Sequence, residues 1–193
     1  MVPIVWILII WTNVFVLNRW LSKNSAPLSQ KSIMIVFGSG GHTTEMLLML
    51  ESLNVSAYRH VHLIIARSDT WSLTKITEHF RTAMKHPVDL SKLDSKSNIT
   101  IWRVFRAREV KQSYITSVFT TLLALAQSFL LTLYCKVDLV VSNGPGTALP
   151  VVLSNWLLSR FGGWKSQTLF IESFCRVTSL SLTGKLLLPI CDK

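Results

Sequence analysis

The sequence predicts an α/β domain on a Rossmann-like parallel sheet, preceded by one transmembrane helix. Three observations predict it. Short runs of β-forming apolar residues alternate with longer stretches of helical period. Two of those runs end in glycine turns that open a helix, Gly38-Ser39-Gly40-Gly41 and Asn143-Gly144-Pro145-Gly146-Thr147. The chain also begins with an almost wholly apolar stretch of roughly the length that spans a bilayer. On this reading residues 1–21 are the anchor, 22–32 a polar linker and 33–193 the domain.

The anchor carries Trp6, Trp11 and Trp20 as interface residues, with Arg19, Lys23 and Lys31 after it and no Lys or Arg before it. The positive-inside rule then puts the N-terminus in the lumen or outside the cell and everything after Arg19 in the cytosol. A cleaved signal peptide is the rival, but it lacks a basic n-region and a small-residue cleavage site. Both glycosylation patterns, Asn54-Val55-Ser56 and Asn98-Ile99-Thr100, should stay unmodified in a cytosolic domain.

The first strand reads as Ile33–Phe37, and its turn leads into a helix from about Thr43 to Leu53. Thr43 or Thr44 is expected to cap that helix, with Glu45 in its first turn. Gly38, Gly40 and Gly41 let backbone and ligand approach closely, and free N–H groups at a helix start favour a phosphate or diphosphate. The pattern is neither a Walker P-loop nor a G-x-G-x-x-G fingerprint. His42 lies where turn becomes helix; it is a general base, a phosphate contact, or a histidine bonded to its own turn.

The second strand reads as His60–Ala66, followed by a helix with Ser68 or Asp69 as cap. The third reads as Ile99–Phe105. Arg106-Ala107-Arg108-Glu109-Val110 follows at its C-terminal end, where open α/β sheets bind ligands. Ser113–Tyr134 carries no charge, which is long enough to resemble a second span. Its period instead sets small hydroxylic residues on one side and Val118, Phe119, Leu122, Leu123, Phe129, Leu130 and Leu133 on the other. We expect this helix to pack on the sheet, with a bilayer-interface position as the alternative. Val137–Ser142 is the fourth strand, Ala148–Phe161 the helix after the second turn, and Thr168–Ile171 the fifth strand before Glu172-Ser173-Phe174. In a parallel sheet these turns gather on one edge.

The net charge of +10 suits anionic lipid, a phosphorylated substrate or nucleic acid; no zinc-finger spacing or arginine-rich run supports the last. Cys135, Cys175 and Cys191 form no CxxC pair and suit free thiols in a reducing compartment.

Taken together, Gly38-Ser39-Gly40-Gly41-His42-Thr43, Arg106 to Val110 with Gln112-Ser113, Asn143 to Thr147, and Phe170 to Val177 resemble one family. It is the membrane-anchored subunit of the UDP-N-acetylglucosamine transferase of asparagine-linked glycosylation. The first turn is also similar to the acceptor half of the bacterial lipid-linked GlcNAc transferase of peptidoglycan synthesis. The resemblance implies the N-terminal, acceptor-binding half of a GT-B fold, held at the cytosolic face of the endoplasmic reticulum membrane or nuclear envelope. It implies a soluble catalytic subunit that binds UDP-GlcNAc, transfer of GlcNAc onto GlcNAc-diphosphodolichol, and no metal or cofactor. Within it, His42 is the candidate catalytic residue. Gly38, Ser39, Gly40, Gly41, Thr43, Arg106, Arg108, Asn143, Gly144, Gly146 and Thr147 are candidates for the acceptor diphosphate. Glu109 and Glu172 are further candidate bases.

Two departures stand out. Thr178 occupies a position where the family carries an acidic residue. The family also continues to a C-terminal tail that docks the catalytic subunit, whereas this chain stops at Lys193. A shortened form that keeps the fold as a non-catalytic membrane scaffold is therefore the alternative expectation. A self-sufficient transferase is disfavoured because a second Rossmann-like domain has no room.

Overall fold

A computed structural model describes residues 27–83, 98–108, 112–176 and 178–192. The expected anchor, residues 22–26 of the linker, and Glu109 lie outside the described residues. Five strands, β1 (Ser32–Val36), β2 (His60–Ala66), β3 (Ile99–Val104), β4 (Leu139–Asn143) and β5 (Gln167–Ile171), form one parallel sheet in the order β3-β2-β1-β4-β5. Helices α1 (Gly41–Glu51), α2 (Thr70–Ala83), α3 (Tyr114–Cys135), α4 (Pro145–Phe161) and α5 (Leu182–Leu187) link or follow them.

The central strands are buried on both faces, which is why β1 reads as an unbroken apolar run rather than an alternating one. Ile33, Ile35 and Phe37 face a core closed by Met46, Leu47 and Leu50 of α1 and Ile76 and Phe80 of α2. Met34 and Val36 face the opposite core, closed by Leu131 of α3, Val151 and Val152 of α4 and Leu187 of α5. At the foot of β1 the Asp138 carboxylate accepts a hydrogen bond from the Ser32 N–H at 2.8 Å and so ties β4 to β1. The strand order reverses between β1 and β4, and both glycine turns leave the sheet there.

α3 packs on α4 and the β3 edge, but with the opposite side inward from the one an amphipathic helix normally buries. Ser117, Ala124, Ser128 and Thr132 are buried, whereas Phe119, Leu123 and Leu130 are 68%, 59% and 66% exposed. The physical reason is local. Thr120 and Thr121 donate to the Ala107 carbonyl at 2.7 and 3.0 Å, and Thr132 donates to the Ser128 carbonyl at 2.7 Å. The hydroxyls thus satisfy backbone acceptors, and small side chains let α3 lie close to α4. The helix meets the sheet only at the β3 edge and packs mainly on α4, so the expected packing on the sheet is met in part; the side it presents outward is the apolar one.

The three cysteines are free thiols. Burial, with the Asp192 charge adding to it, pushes Cys191 up to about 11, so it stays protonated at neutral pH.

Candidate functional site

The site lies at the switch point, where the C-terminal ends of β1 and β4 meet. Gly40 takes φ 64° and is the N-cap of α1, so the helix begins at Gly41. The expected caps Thr43 and Thr44 are therefore inside the helix, and Glu45 lies beyond its first three residues. A glycine that reaches positive φ at little cost lets the chain turn earlier than a hydroxyl cap would require. The second turn is equally tight. Asn143 ends β4, Gly144 takes φ 82°, and α4 starts at Pro145 rather than Ala148, so Gly146 and Thr147 belong to its first turn.

The two turns touch. A Cβ on Gly144 would lie 2.9 Å from the Gly38 Cα and 3.1 Å from His42 Cγ. A Cβ on Gly38 would lie 2.6 Å from the His42 Cβ and 3.0 Å from the Asn143 carbonyl. Neither position has room for a side chain. Buried Asn143 crosses between the turns, its amide donating to the His42 carbonyl at 2.9 Å and approaching Glu45 Oε2 at 3.4 Å.

His42 sits at this junction, with Glu45 Oε2 3.4 Å from its Nδ1, an ion-pair approach longer than a hydrogen bond. That ring nitrogen is itself buried. Ser173, in the loop after β5, donates to Glu45 Oε1 at 2.8 Å. Burial raises the Glu45 carboxyl pKa. The His42 imidazole beside it, the hydrogen bond from Ser173 and the Phe174 N–H together outweigh it and bring Glu45 below the usual carboxylate range. Glu45 is thus held ionised with groups from three strand ends around it.

The other predicted residues divide into two groups. Ser39 and Gly40 are half-buried and Gly41 exposed at the head of α1. Arg106 lies along Gly146, where an added Cβ would meet its side chain at 3.3 Å, and the Ala107 N–H donates to the Gly146 carbonyl at 3.3 Å. The arginine loop is thereby fixed beside the second turn. By contrast, the hydroxyl of buried Thr43 donates to the Gly38 carbonyl at 2.6 Å and lies 2.6 Å from Ser72 Oγ. Ser72 in turn donates to Asp69, the cap of α2. Thr43 braces the turn from inside. Thr147 is buried as well. Arg108 donates to the Gln112 carbonyl at 2.9 Å and braces its own loop. Glu172 accepts from the Ser181 N–H at 3.0 Å and the Ser181 hydroxyl at 3.1 Å, which fastens the loop after β5 to the start of α5. The residues that sequence reasoning did not assign to the site are Glu45 and Ser173. The signal for Glu45 was its i,i+3 spacing from His42 on one helical face, visible once the helix starts at Gly41.

Residues 33–193 match the family model described as "Oligosaccharide biosynthesis protein Alg14 like". The chain belongs to the Alg14 family. It is 38% identical over 185 residues to the rat UDP-N-acetylglucosamine transferase subunit ALG14, covering 92% of this chain and 81% of that one. The human protein of the same name is 40% identical over 183 residues, again with 92% and 81% covered. The fission yeast one (Schizosaccharomyces pombe) is 36% identical over 179 residues, with 91% and 79% covered. Among solved structures, MurG of Acinetobacter baumannii matches at a TM-score of 0.56 and 18% identity, over 84% of this chain and 40% of MurG. That likeness shows the fold: this Alg14-family chain has the parallel-sheet architecture of a part of MurG.

Proposed function

We propose that this chain is the acceptor-binding subunit of a two-subunit UDP-GlcNAc transferase, adding the second GlcNAc to GlcNAc-diphosphodolichol. A separate soluble subunit supplies the donor-binding half, and the domain works at the cytosolic face of the endoplasmic reticulum membrane. The observation that carries this reading is the 36–40% identity, over nine-tenths of the chain, to proteins named as subunits of a UDP-N-acetylglucosamine transferase.

The geometry fits the chemistry. The acceptor diphosphate lies at the two helix starts, where unpaired N–H groups and the helix dipoles favour an anion, with Arg106 beside it. His42 takes the proton from the acceptor sugar hydroxyl as that oxygen attacks C1 of the donor GlcNAc. The C1–O bond to UDP breaks, UDP leaves with the electron pair, and the new glycosidic bond joins the two sugars.

The outward face of α3 supports a place against the bilayer. It presents Val118, Phe119, Leu122, Leu123, Phe129, Leu130 and Leu133 to the outside. No Asp or Glu occurs from Val110 to Val137, while Arg103, Arg106, Arg108 and Lys136 flank the helix. An apolar face with basic flanks suits the interface of an anionic leaflet. The arginine loop leads directly into α3, so a lipid-linked diphosphate at that loop would have its hydrocarbon chain on the same side. With the apolar residues 1–21 as an anchor, the domain has two points of attachment.

The test is co-expression with the soluble donor-binding subunit, purification in detergent, and assay of GlcNAc transfer to a GlcNAc-diphospholipid. A complex that transfers GlcNAc, and a His42→Ala complex that assembles but loses about 10²-fold or more in rate, are the expected results. Absence of both complex and transfer overturns the reading. Wild-type transfer by His42→Ala removes His42 from the chemistry.

A further inference from the structure

We infer that Glu45 is the positioning residue of this site: braced by Ser173 and Asn143, it fixes the His42 ring so that Nε2 is the nitrogen offered to the acceptor. The inference rests on the proposed function and adds to it the group that prepares His42.

The argument begins with which ring nitrogen is accessible. His42 Nδ1 is buried, although the side chain as a whole is 28% exposed. The polar atom facing Nδ1 is Glu45 Oε2 at 3.4 Å. A carboxylate there favours the tautomer with hydrogen on Nδ1, which leaves the Nε2 lone pair free to accept a proton. It also stabilises the imidazolium formed when Nε2 takes that proton. Catalytic hydrogen bonds often tighten from such a distance only in the substrate complex.

Glu45 is itself held in place. Ser173 donates to Oε1, the Phe174 N–H lowers the carboxyl pKa by a further hydrogen bond, and the Asn143 amide lies 3.4 Å from Oε2. These partners come from the loop after β5 and from the end of β4, whereas Glu45 and His42 share α1. A carboxylate serving only to cap its own helix would not need partners on two other strands. The arrangement is that of an oriented base with its orienting group supported in turn.

Glu45→Gln keeps the shape and the acceptor for Ser173 but removes the charge. In the assembled transferase it should lower kcat by roughly 10²-fold, with the acceptor KM little changed. Ser173→Ala should do the same more weakly. Because Glu45 acts through His42, the double variant His42→Ala/Glu45→Gln should be no slower than His42→Ala alone. Wild-type kcat in Glu45→Gln, or a double variant that loses the product of the two single effects, overturns the inference. A second readout does not need activity. Carbethoxylation by diethyl pyrocarbonate, followed by mass spectrometry on the detergent-solubilised chain alone, reports the free Nε2 lone pair. The rate at His42 should fall several-fold in Glu45→Gln while exposed His60 is unchanged. An unchanged rate at His42 overturns the inference, whereas loss of transfer in the wild-type complex counts against the proposed function instead.

Discussion

The Trp102 indole N–H donates to His62 Nδ1 at 3.1 Å, joining β3 to β2 on a face where His62 is 9% exposed. Burial, then the neighbouring His60 charge, pulls His62 down to about 4. The folded value lies below the unfolded one, so the contribution of neutral His62 is complete above about pH 6.5 and is lost as the pH falls towards 4. The loss should reach on the order of 2 kcal/mol after allowance for solvent screening. Denaturant melts between pH 7 and 4 should show this slope, and His62→Gln should flatten it. An equal slope in the variant would place the acid sensitivity elsewhere.

Thr43 separates a structural from a ligand-binding role. Its hydroxyl is spent on the Gly38 carbonyl and sits against Ser72 inside the turn. Thr43→Val keeps the volume and leaves that carbonyl unsatisfied, which should cost about 1–2 kcal/mol of stability. At temperatures where the variant is folded, its acceptor KM should match the wild type. A raised KM with unchanged stability would return Thr43 to the phosphate ligands.

The α3 surface can be probed directly in vesicles containing anionic lipid. An environment-sensitive fluorophore on Leu123→Cys should shift to the blue and resist a water-soluble quencher. The same label on Glu78→Cys, an exposed position of α2 on the opposite layer, should remain in water. Equal quenching at both positions would detach this face from the bilayer.

The sheet was largely legible in the residues. The limits of β2 are those its apolar run suggests, and the glycine turns after β1 and β4 gather on one edge of the parallel sheet as expected. Two things were not. Periodicity divides Ser113–Tyr134 into a hydroxylic and an apolar side, but it carries no sign saying which side meets the protein. That is decided by the Ala107 carbonyl waiting for Thr120 and Thr121. The role of Glu45 was hidden by a helix start placed at Thr43, two residues late, which takes the carboxylate out of register with His42. Glu172 shows the same limit from the other direction: its pairing with Ser181 depends on how the loop after β5 folds back, and local pattern does not contain it.

The contact between the two glycine turns has a temporal meaning. His42 and Asn143 are 101 positions apart, and their meeting requires β4 to pair with β1 on the side away from β2. A growing polypeptide therefore owns no partial pocket. Until the strand ending at Asn143 has emerged and docked, the first turn is only a bend in the backbone. Binding competence should appear in one late, cooperative step rather than being assembled gradually during synthesis.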